Sequence, residues 1–132
     1  CLLGPTVGGK GKIEARNKTF EAGQILENAG ITFGLITDAP FVPIEGQLLQ
    51  AALYVKNGLS REMALKCLTI NNAIITDIDS RVGSLEPGKD ADVVIWDVEP
   101  LATLSQAGIV IIDGQIAYRR KAGESNVDYQ KL

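Results

Sequence analysis

The stretch from Arg81 to Asp97 constrains the fold of this chain more than any other part of the sequence. A short polar turn, Glu86 to Asp90, interrupts two apolar pieces, Val82 to Leu85 and Ala91 to Trp96. The second piece is rich in the β-branched residues that suit a buried strand. These residues therefore predict a strand, a turn and a second strand in the last third of the chain.

The beginning of the chain alternates between strand and helix signals. Leu2 and Leu3 predict the end of a strand, and apolar residues at helical spacing predict a helix that ends at Gly30. The β-rich run Ile31 to Thr37 follows and predicts a second strand. Strand, helix and strand at this spacing form a βαβ unit, which is typical of an α/β architecture with parallel strands.

Three more helices are expected after this unit. The segment Glu45 to Val55 has a helical apolar pattern, formed by Leu48, Leu49, Ala52, Leu53 and Val55. Ser60 has the position and chemistry of an N-cap for the next helix. Asn71 or Asn72 is the expected cap of a third, short helix that runs to Ile78.

The apolar period changes from 3.6 to 2 after Asp79. The runs Ile109 to Ile112 and Gln115 to Tyr118 predict a β-hairpin, and Asp113-Gly114 supplies a two-residue type I′ turn. We place a boundary near Asp79. It divides the chain into residues 1–79 with strands and helices, residues 80–120 with strands, and a tail at residues 121–132 without any period.

The composition excludes several classes of function. A net charge of -3 and a pI near 4.9 argue against a nucleic-acid partner. The cluster Lys10, Lys12, Arg16 and Lys18 is interpreted as a solvated loop. No apolar run approaches the roughly 18 residues that span a bilayer, and no signal peptide is evident. We therefore expect a cytoplasmic protein without a membrane partner.

The two cysteines and the start of the chain give two further expectations. Cys1 and Cys67 do not have the spacing of a metal site or a disulfide framework, and Cys67 lies on the apolar side of a helical pattern. We expect Cys67 to be a reduced core thiol. The chain starts on an apolar run and contains its only methionine at Met63, so we expect it to be a fragment or a processed piece.

Asp38 is the candidate catalytic residue. It follows the predicted strand Ile31 to Thr37, and α/β barrels build their active sites at the carboxyl ends of strands. A carboxylate there can ligate a metal and accept a proton from metal-bound water. The alternative is structural, because an aspartate before Ala-Pro also suits a turn cap with an Asx-type hydrogen bond.

Four strings of this sequence resemble metal-dependent amidohydrolases, in particular the imidazolonepropionase-like and related cyclic amidohydrolases. Gly83 to Val94 resembles the family string Gly-Ser-Leu-x-x-Gly-Lys-x-Ala-Asp-Val-Val, and Thr37 to Pro40 resembles the end of its eighth barrel strand. Gly4-Pro5 resembles the opening of the loop after strand seven. Leu68 to Ala73 resembles the family string Thr-x-Asn-Pro-Ala, with Asn72 in place of the proline and a structural role.

The resemblance, which covers most of Gly4 to Tyr118, implies the fold class and the reaction. The fold class is α/β: the C-terminal strands and helices of a (β/α)8 TIM barrel, followed by the C-terminal part of a small β-sandwich domain. The complete enzyme would hydrolyse a carbon-nitrogen bond of an amide, cyclic amide or amidine with a metal-activated water. Asp38 would be both its catalytic residue and a metal ligand. The divalent metal, expected to be zinc, would take its other ligands from outside this chain, which contains no histidine.

The resemblance also implies the partners of the chain. These are a small-molecule amide-type substrate, the missing N-terminal part of the same enzyme, and further copies in a homo-oligomer. The chain alone would be inactive. Family members often carry a histidine at the position of Ala39, so the substrate contact at this loop is expected to differ. Trp96 is expected to pack between the β domain and the barrel.

Two other classes of function remain open. Gly4 to Gly11 has the spacing of a P-loop start, although Gly11 stands where a serine or threonine would hold magnesium. Within an active-site loop, Lys12 and Glu14 are candidate substrate contacts, with a solvated surface as the alternative. The other class is a non-catalytic structural or oligomerisation domain derived from the same family.

Overall fold

The first part of the protein is a βαβ unit, as predicted. The computed structural model describes residues 1–8, 13–102 and 104–121. Strands β1 (Leu2–Leu3) and β2 (Gly34–Leu35) are parallel neighbours, and helix α1 (Ala22–Asn28) connects them after a 3-10 helix at Ile13–Asn17. The predicted strand from Ile31 to Thr37 is wrong in extent. Only Gly34 and Leu35 are in register with residues of β1, because β1 is equally short.

Three helices pack behind these strands. They are α2 (Gln47–Lys56), α3 (Arg61–Leu68) and α4 (Ile70–Ile75), and a short 3-10 helix at Ile44–Gly46 precedes α2. The predicted N-cap of α3 is confirmed, because the Ser60 hydroxyl accepts a hydrogen bond from the Met63 N–H at 3.1 Å.

The two asparagines of α4 attach the helix to β2 and do not cap it, so that prediction was wrong. The helix begins at Ile70 and ends three residues earlier than predicted. The side-chain amide of Asn71 donates to the Phe33 carbonyl at 2.8 Å, and that of Asn72 donates to the Leu35 carbonyl at 3.1 Å. Both amides therefore form tertiary contacts with a strand that is distant in sequence. A local sequence pattern for helix caps cannot predict such contacts.

The side of β2 opposite to β1 is occupied by side chains from the helices. Gly34 and Ile36 donate their backbone N–H groups toward β1. The carbonyls of Phe33 and Leu35 point the other way and accept the two asparagine amides, together with the Cys67 thiol at 3.1 Å and the Gln47 amide at 2.7 Å. The Asn72 side chain lies very close to the backbone of Gly34, because a Cβ at Gly34 would be 1.7 Å from Asn72 Oδ1.

The core lies between β2 and helices α2 and α3. Its buried members are Phe33, Leu35, Ala51, Tyr54, Leu59, Ala64, Cys67 and Leu101. Complete burial of one large apolar side chain contributes about 1.5–3 kcal/mol. Cys67 is a free, buried thiol, as predicted. Leu101 comes from beyond residue 79, so the chain after the predicted boundary returns to the helices.

The last part is a three-stranded antiparallel sheet in the order β3-β4-β5. Its strands are β3 (Val93–Trp96), β4 (Ala107–Ile112) and β5 (Gln115–Arg119). The predicted hairpin is confirmed: Asp113 and Gly114 join β4 to β5 with φ values of 49° and 74°, the two positive angles of a type I′ turn. The boundary near Asp79 remains a prediction, and the predicted tail lies outside the described residues beyond 121.

The segment between α4 and β3 is a compact turn, so the predicted strand Val82 to Leu85 is wrong. The turn is closed by a hydrogen bond from the Asp90 N–H to the Arg81 carbonyl at 2.8 Å and by an ion pair between their side chains at 2.5 Å. At Gly83 the backbone lies against α4, because a Cβ there would be 2.7 Å from that of Ala73. This contact bends the chain and prevents an extended strand.

Trp96 lines a cleft between the helices and the sheet. The cleft has a volume of about 750 Å³, and most of its lining is apolar, from Leu2, Leu48, Leu68, Val82, Val93 and Trp96 among others. Trp96 is half-buried in this position. Its location agrees with a packing role between the two parts of the chain.

Candidate functional site

The carboxyl ends of β1 and β2 lie side by side, and the loops that follow them form the candidate site. Asp38 is the third residue after β2 and opens a turn in which the Phe41 N–H donates to its carbonyl at 2.9 Å. Its φ is 54°, a left-handed conformation that is uncommon outside glycine, although aspartate tolerates it. Uncommon backbone conformations cluster at functional sites, so this geometry motivates a functional hypothesis.

The carboxylate of Asp38 points into an exposed environment. Among the residues that the structure describes, no side-chain hydrogen bond or ion pair involves this carboxylate, and the residue is exposed. The Asx-type hydrogen bond of a capping aspartate is thus not present between described residues. A carboxylate with free lone pairs at this edge can accept a proton or bind a cation.

The loop after β1 is held against the end of β2 by a buried glutamine of α2. Gln50 is 0% exposed, and its side chain accepts a hydrogen bond from the Thr6 N–H at 2.8 Å. The same amide donates to the Ile36 carbonyl at 3.0 Å. One side chain therefore links the loop after β1 to the residue two positions before Asp38.

Other contacts fix the same loop. The Thr6 hydroxyl bonds to the Tyr54 hydroxyl, and burial raises the pKa of Tyr54, which this hydrogen bond partly offsets. The Lys18 ammonium donates to the Pro5 carbonyl at 2.5 Å. Gly4 has a φ of 130°, and a Cβ there would lie 2.2 Å from the Ile36 carbonyl oxygen, so the two loops meet at a position that only glycine allows.

The remaining predicted residues are divided between this loop and the undescribed part. Glu14 lies exposed on the 3-10 helix Ile13–Asn17, whereas Lys10 and Lys12 lie outside the described residues. The P-loop reading requires an α-helix directly after the glycine-rich loop. The element that follows in the structure is this five-residue 3-10 helix, which argues against nucleotide binding.

The described part of the chain does not form a complete metal centre. The sequence has no histidine, and within the described ranges no group of three or more His, Cys, Asp or Glu side chains could hold an ion. Catalytic zinc sites generally use three protein ligands. Asp38 can therefore be one ligand only. None of the helices in these ranges is long and apolar enough to cross a membrane.

Sequence reasoning missed Gln50 because the apolar pattern of α2 indicated a neighbouring face of the helix as the buried one. The structure buries Gln50, Ala51 and Tyr54, while Leu49 is 56% exposed. The available signal was a glutamine flanked by apolar residues, one helical turn before Tyr54. A polar residue on a buried face must find hydrogen-bond partners, which makes it informative about tertiary contacts.

Comparison with known proteins identifies the family to which the chain belongs. The model of the Amidohydrolase family matches residues 13–119, so the chain belongs to the amidohydrolase family, a class of hydrolases. In curated sequences, "Amidohydrolase tasK" of Hapsidospora irregularis is 34% identical over 103 residues, which are 78% of this chain and 10% of that protein. Imidazolonepropionase of Shewanella baltica (strain OS185) is 35% identical over 86 residues, covering 61% of this chain and 21% of that protein.

Solved structures agree with this assignment. The crystal structure of an amidohydrolase from Thermotoga maritima MSB8 superposes with a TM-score of 0.86 at 38% identity, over 90% of this chain and 31% of that one. A putative prolidase from Bifidobacterium longum gives a TM-score of 0.65 at 32% identity, over 76% of this chain and 26% of that one. The chain thus spans a third or less of the length of these proteins, and its two parallel strands do not form a complete barrel.

Proposed function

We propose that this chain forms part of a metal-dependent hydrolase of carbon-nitrogen bonds, in which Asp38 is the general base and one metal ligand. The observation that carries the proposal is the exposed Asp38 carboxylate, three residues beyond β2, where the loops after two parallel strands meet. Active sites of α/β barrels form at this end of the strands. Membership of the amidohydrolase family supports the same reaction class.

The metal would be held mainly by residues beyond this chain. Asp38 fits as one oxygen ligand, and the described residues do not supply the rest. When bound, a divalent metal such as zinc would act as a Lewis acid and lower the pKa of water, so that water can lose a proton and attack near neutral pH. Asp38 would accept the proton of the attacking water and deliver it to the leaving nitrogen.

The substrate class and the assembly are further parts of the proposal. The relatives include imidazolonepropionases and an Xaa-Pro dipeptidase, which suggest imidazolonepropionate and dipeptides ending in proline as test substrates. A small amide, cyclic amide or amidine is the shared chemistry. We also propose that the rest of the barrel comes from the remainder of the enzyme, that the enzyme forms a homo-oligomer, and that it works in the cytoplasm.

The test compares two aspartates of the same conformation in the full-length protein. Asp77 is exposed and has a φ of 61°, close to the 54° of Asp38, so Asp77→Asn is a matched control for backbone effects. Asparagine keeps the shape of aspartate but cannot accept a proton. Asp38→Asn should lower kcat by about 10²- to 10⁴-fold, the usual contribution of a general base, while Asp77→Asn should leave kcat unchanged.

Turnover is measured on imidazolonepropionate and on a dipeptide ending in proline, before and after treatment with a chelator and re-addition of zinc. Circular dichroism checks that both variants are folded. Asp38 is not the base if its asparagine variant keeps more than about a tenth of the wild-type kcat with metal present. Activity that survives complete metal removal would reject the metal-dependent mechanism, and a zinc-loaded protein without turnover on either substrate would favour the non-catalytic alternative.

A further inference from the structure

Gln50 is a buried polar residue that the proposed chemistry does not use directly. It lies on α2, away from the exposed face of the site, yet both ends of its side-chain amide are engaged by backbone groups of the two site loops. We propose that Gln50 is a positioning residue, whose amide sets the spacing between the loop after β1 and the turn that carries Asp38. The inference rests on the proposed function of Asp38.

The two bonds of Gln50 require one donor and one acceptor in a single planar group. Its oxygen accepts from the Thr6 N–H at 2.8 Å, and its nitrogen donates to the Ile36 carbonyl at 3.0 Å. Glutamine provides both at any pH, whereas an ionised carboxylate of the same length is acceptor-only. In this buried environment, separating either loop from Gln50 would leave a polar group without a hydrogen bond, which costs free energy. The two bonds therefore favour one spacing between the two loops.

This spacing is transmitted to the catalytic carboxylate through a short piece of backbone. Ile36 lies two residues before Asp38, and the intervening Thr37 is 5% exposed. A shift of the Ile36 carbonyl therefore moves the start of the Asp38 turn. A displacement of about 1 Å at a reacting group can lower a rate about 10²-fold.

The loop after β1 is also fixed from its other sides. Tyr54 bonds to the Thr6 hydroxyl, and Lys18 bonds to the Pro5 carbonyl at 2.5 Å. At Gly4 the loop approaches both Ile36 and Gln50, because a Cβ there would lie 2.2 Å from the Ile36 carbonyl oxygen and 3.1 Å from Gln50 Nε2. The loop is thus one wall of the site, and Gln50 bonds this wall to Ile36, the residue after β2.

Gln47 provides the matched comparison. It lies on the same helix, and its amide also donates to β2, at the Leu35 carbonyl with a distance of 2.7 Å. Its side-chain oxygen is buried and makes no hydrogen bond with the described residues, so it does not connect to the loop after β1. Gln47→Met removes a bond to β2 of the same kind and leaves the bridge between the loops in place.

The experiment measures kcat, KM and thermal stability of Gln50→Met, Gln50→Glu, Gln47→Met and Asp38→Asn in the full-length, zinc-loaded protein. The probe is whichever of imidazolonepropionate or the proline dipeptide the wild type hydrolyses. Gln50→Met should lower kcat by about 10- to 100-fold with a KM change below about threefold. Gln47→Met should lower thermal stability about as much as Gln50→Met does. Its kcat should stay within about threefold of wild type.

The glutamate variant adds a signature that a purely structural role would not produce. A protonated carboxyl at position 50 can donate to the Ile36 carbonyl and accept from the Thr6 N–H, whereas an ionised one cannot donate. Burial raises the pKa of a carboxyl by up to about 3–5 units, so the comparison runs from about pH 5 to about pH 10. The kcat of Gln50→Glu, divided by that of wild type, should fall as the pH rises.

Each outcome decides the inference. It is overturned if Gln50→Met keeps the kcat of Gln47→Met, or, should the methionine variant not fold, if the ratio for Gln50→Glu does not change with pH. An inactive Asp38→Asn together with unaffected Gln50 variants removes only the positioning role. An active Asp38→Asn removes the proposed function itself, and with it the basis of the inference.

Discussion

The two cysteines illustrate how the surroundings of a residue determine its chemistry. Cys1 is exposed, whereas Cys67 is 0% exposed and donates its thiol hydrogen to the Phe33 carbonyl. Burial raises the pKa of Cys67 from 9.0 to about 11, partly offset by the hydrogen bond with Asn71. Thiolates are the reactive form, so Cys67 is protected both by its location and by its protonation state.

The shifted pKa of Cys67 predicts a specific dependence of stability on pH. Between pH 9.0 and about 11 the thiol of the unfolded chain ionises while the folded one stays protonated. The unfolded state then binds fewer protons, and the free energy of unfolding contributed by this group falls as pH rises. Urea unfolding of wild type and Cys67→Ala should show a stability difference that shrinks across this range. A constant difference would mean that the thiol does not titrate differently on folding.

At the scale of residues, the proposal for Asp38 could be made from the sequence, whereas the proposal for Gln50 required the structure. The aspartate stands directly after a strand signal, and its proposed role depends on that local position and on the family string around it. The role proposed for Gln50 depends on Thr6 and Ile36, which lie 44 and 14 residues away. No local pattern encodes such contacts, and the apolar pattern of α2 pointed to the neighbouring face.

At the scale of elements, residues that form turns and helix caps gave the most accurate predictions of where elements begin and end. Asp113-Gly114 fixed the hairpin, and Ser60 fixed the start of α3, because these residues act within a few positions of themselves. The run Val82 to Leu85 was misassigned, since its conformation follows from contact of Gly83 with α4 and from the Arg81–Asp90 ion pair. Tertiary packing overrides strand propensity in such short segments.

The cap of α3 is also a contact between elements, which makes its removal measurable. Ser60 accepts from Met63, and its own N–H and hydroxyl donate to the Glu27 carboxylate at the end of α1, at 2.9 and 2.5 Å. Ser60→Ala should lower the free energy of unfolding by about 0.5–2 kcal/mol.

Chemical denaturation checks this value in the full-length protein, with Ser80→Ala as the control. Ser80 is exposed, lies in a turn, and its side chain makes no hydrogen bond with the described residues. Its substitution should change stability by less than about 0.5 kcal/mol. Equal effects of the two substitutions would show that the α3 cap does not stabilise the fold.

At the scale of the whole molecule, β5 has no strand on its outer side among the described residues, and apolar side chains lie at the surface. Ile95 is 48% exposed on β3, and Ile112 of β4 and Ile116 of β5 are each 56% exposed. Open strand edges and contiguous apolar surface favour association with another chain. The sequence could predict the strand–helix–strand unit and the hairpin, because both depend on short-range patterns, whereas the groups that pack against these exposed side chains do not follow from such patterns.

The isolated 132-residue chain is therefore expected to self-associate. Sedimentation velocity should show a molecular mass that rises with concentration, and the unfolding midpoint should rise with it. Ile116→Lys places a charge on the open strand and should reduce association, whereas Lys56→Arg on α2 should not. A sharp unfolding transition of a monomer, independent of concentration, would contradict this expectation.

The close approach of Gly34 and Asn72 has a consequence for how sequences of this kind can diverge. The family string that this chain resembles has proline at position 72, and a proline carries no carboxamide to approach β2. With asparagine there, Oδ1 occupies the space that a Cβ at position 34 would need, 1.7 Å away. The two sites are thus expected to covary: descendants that keep asparagine at 72 keep glycine at 34, and a larger residue at 34 becomes accessible only after the asparagine has been replaced.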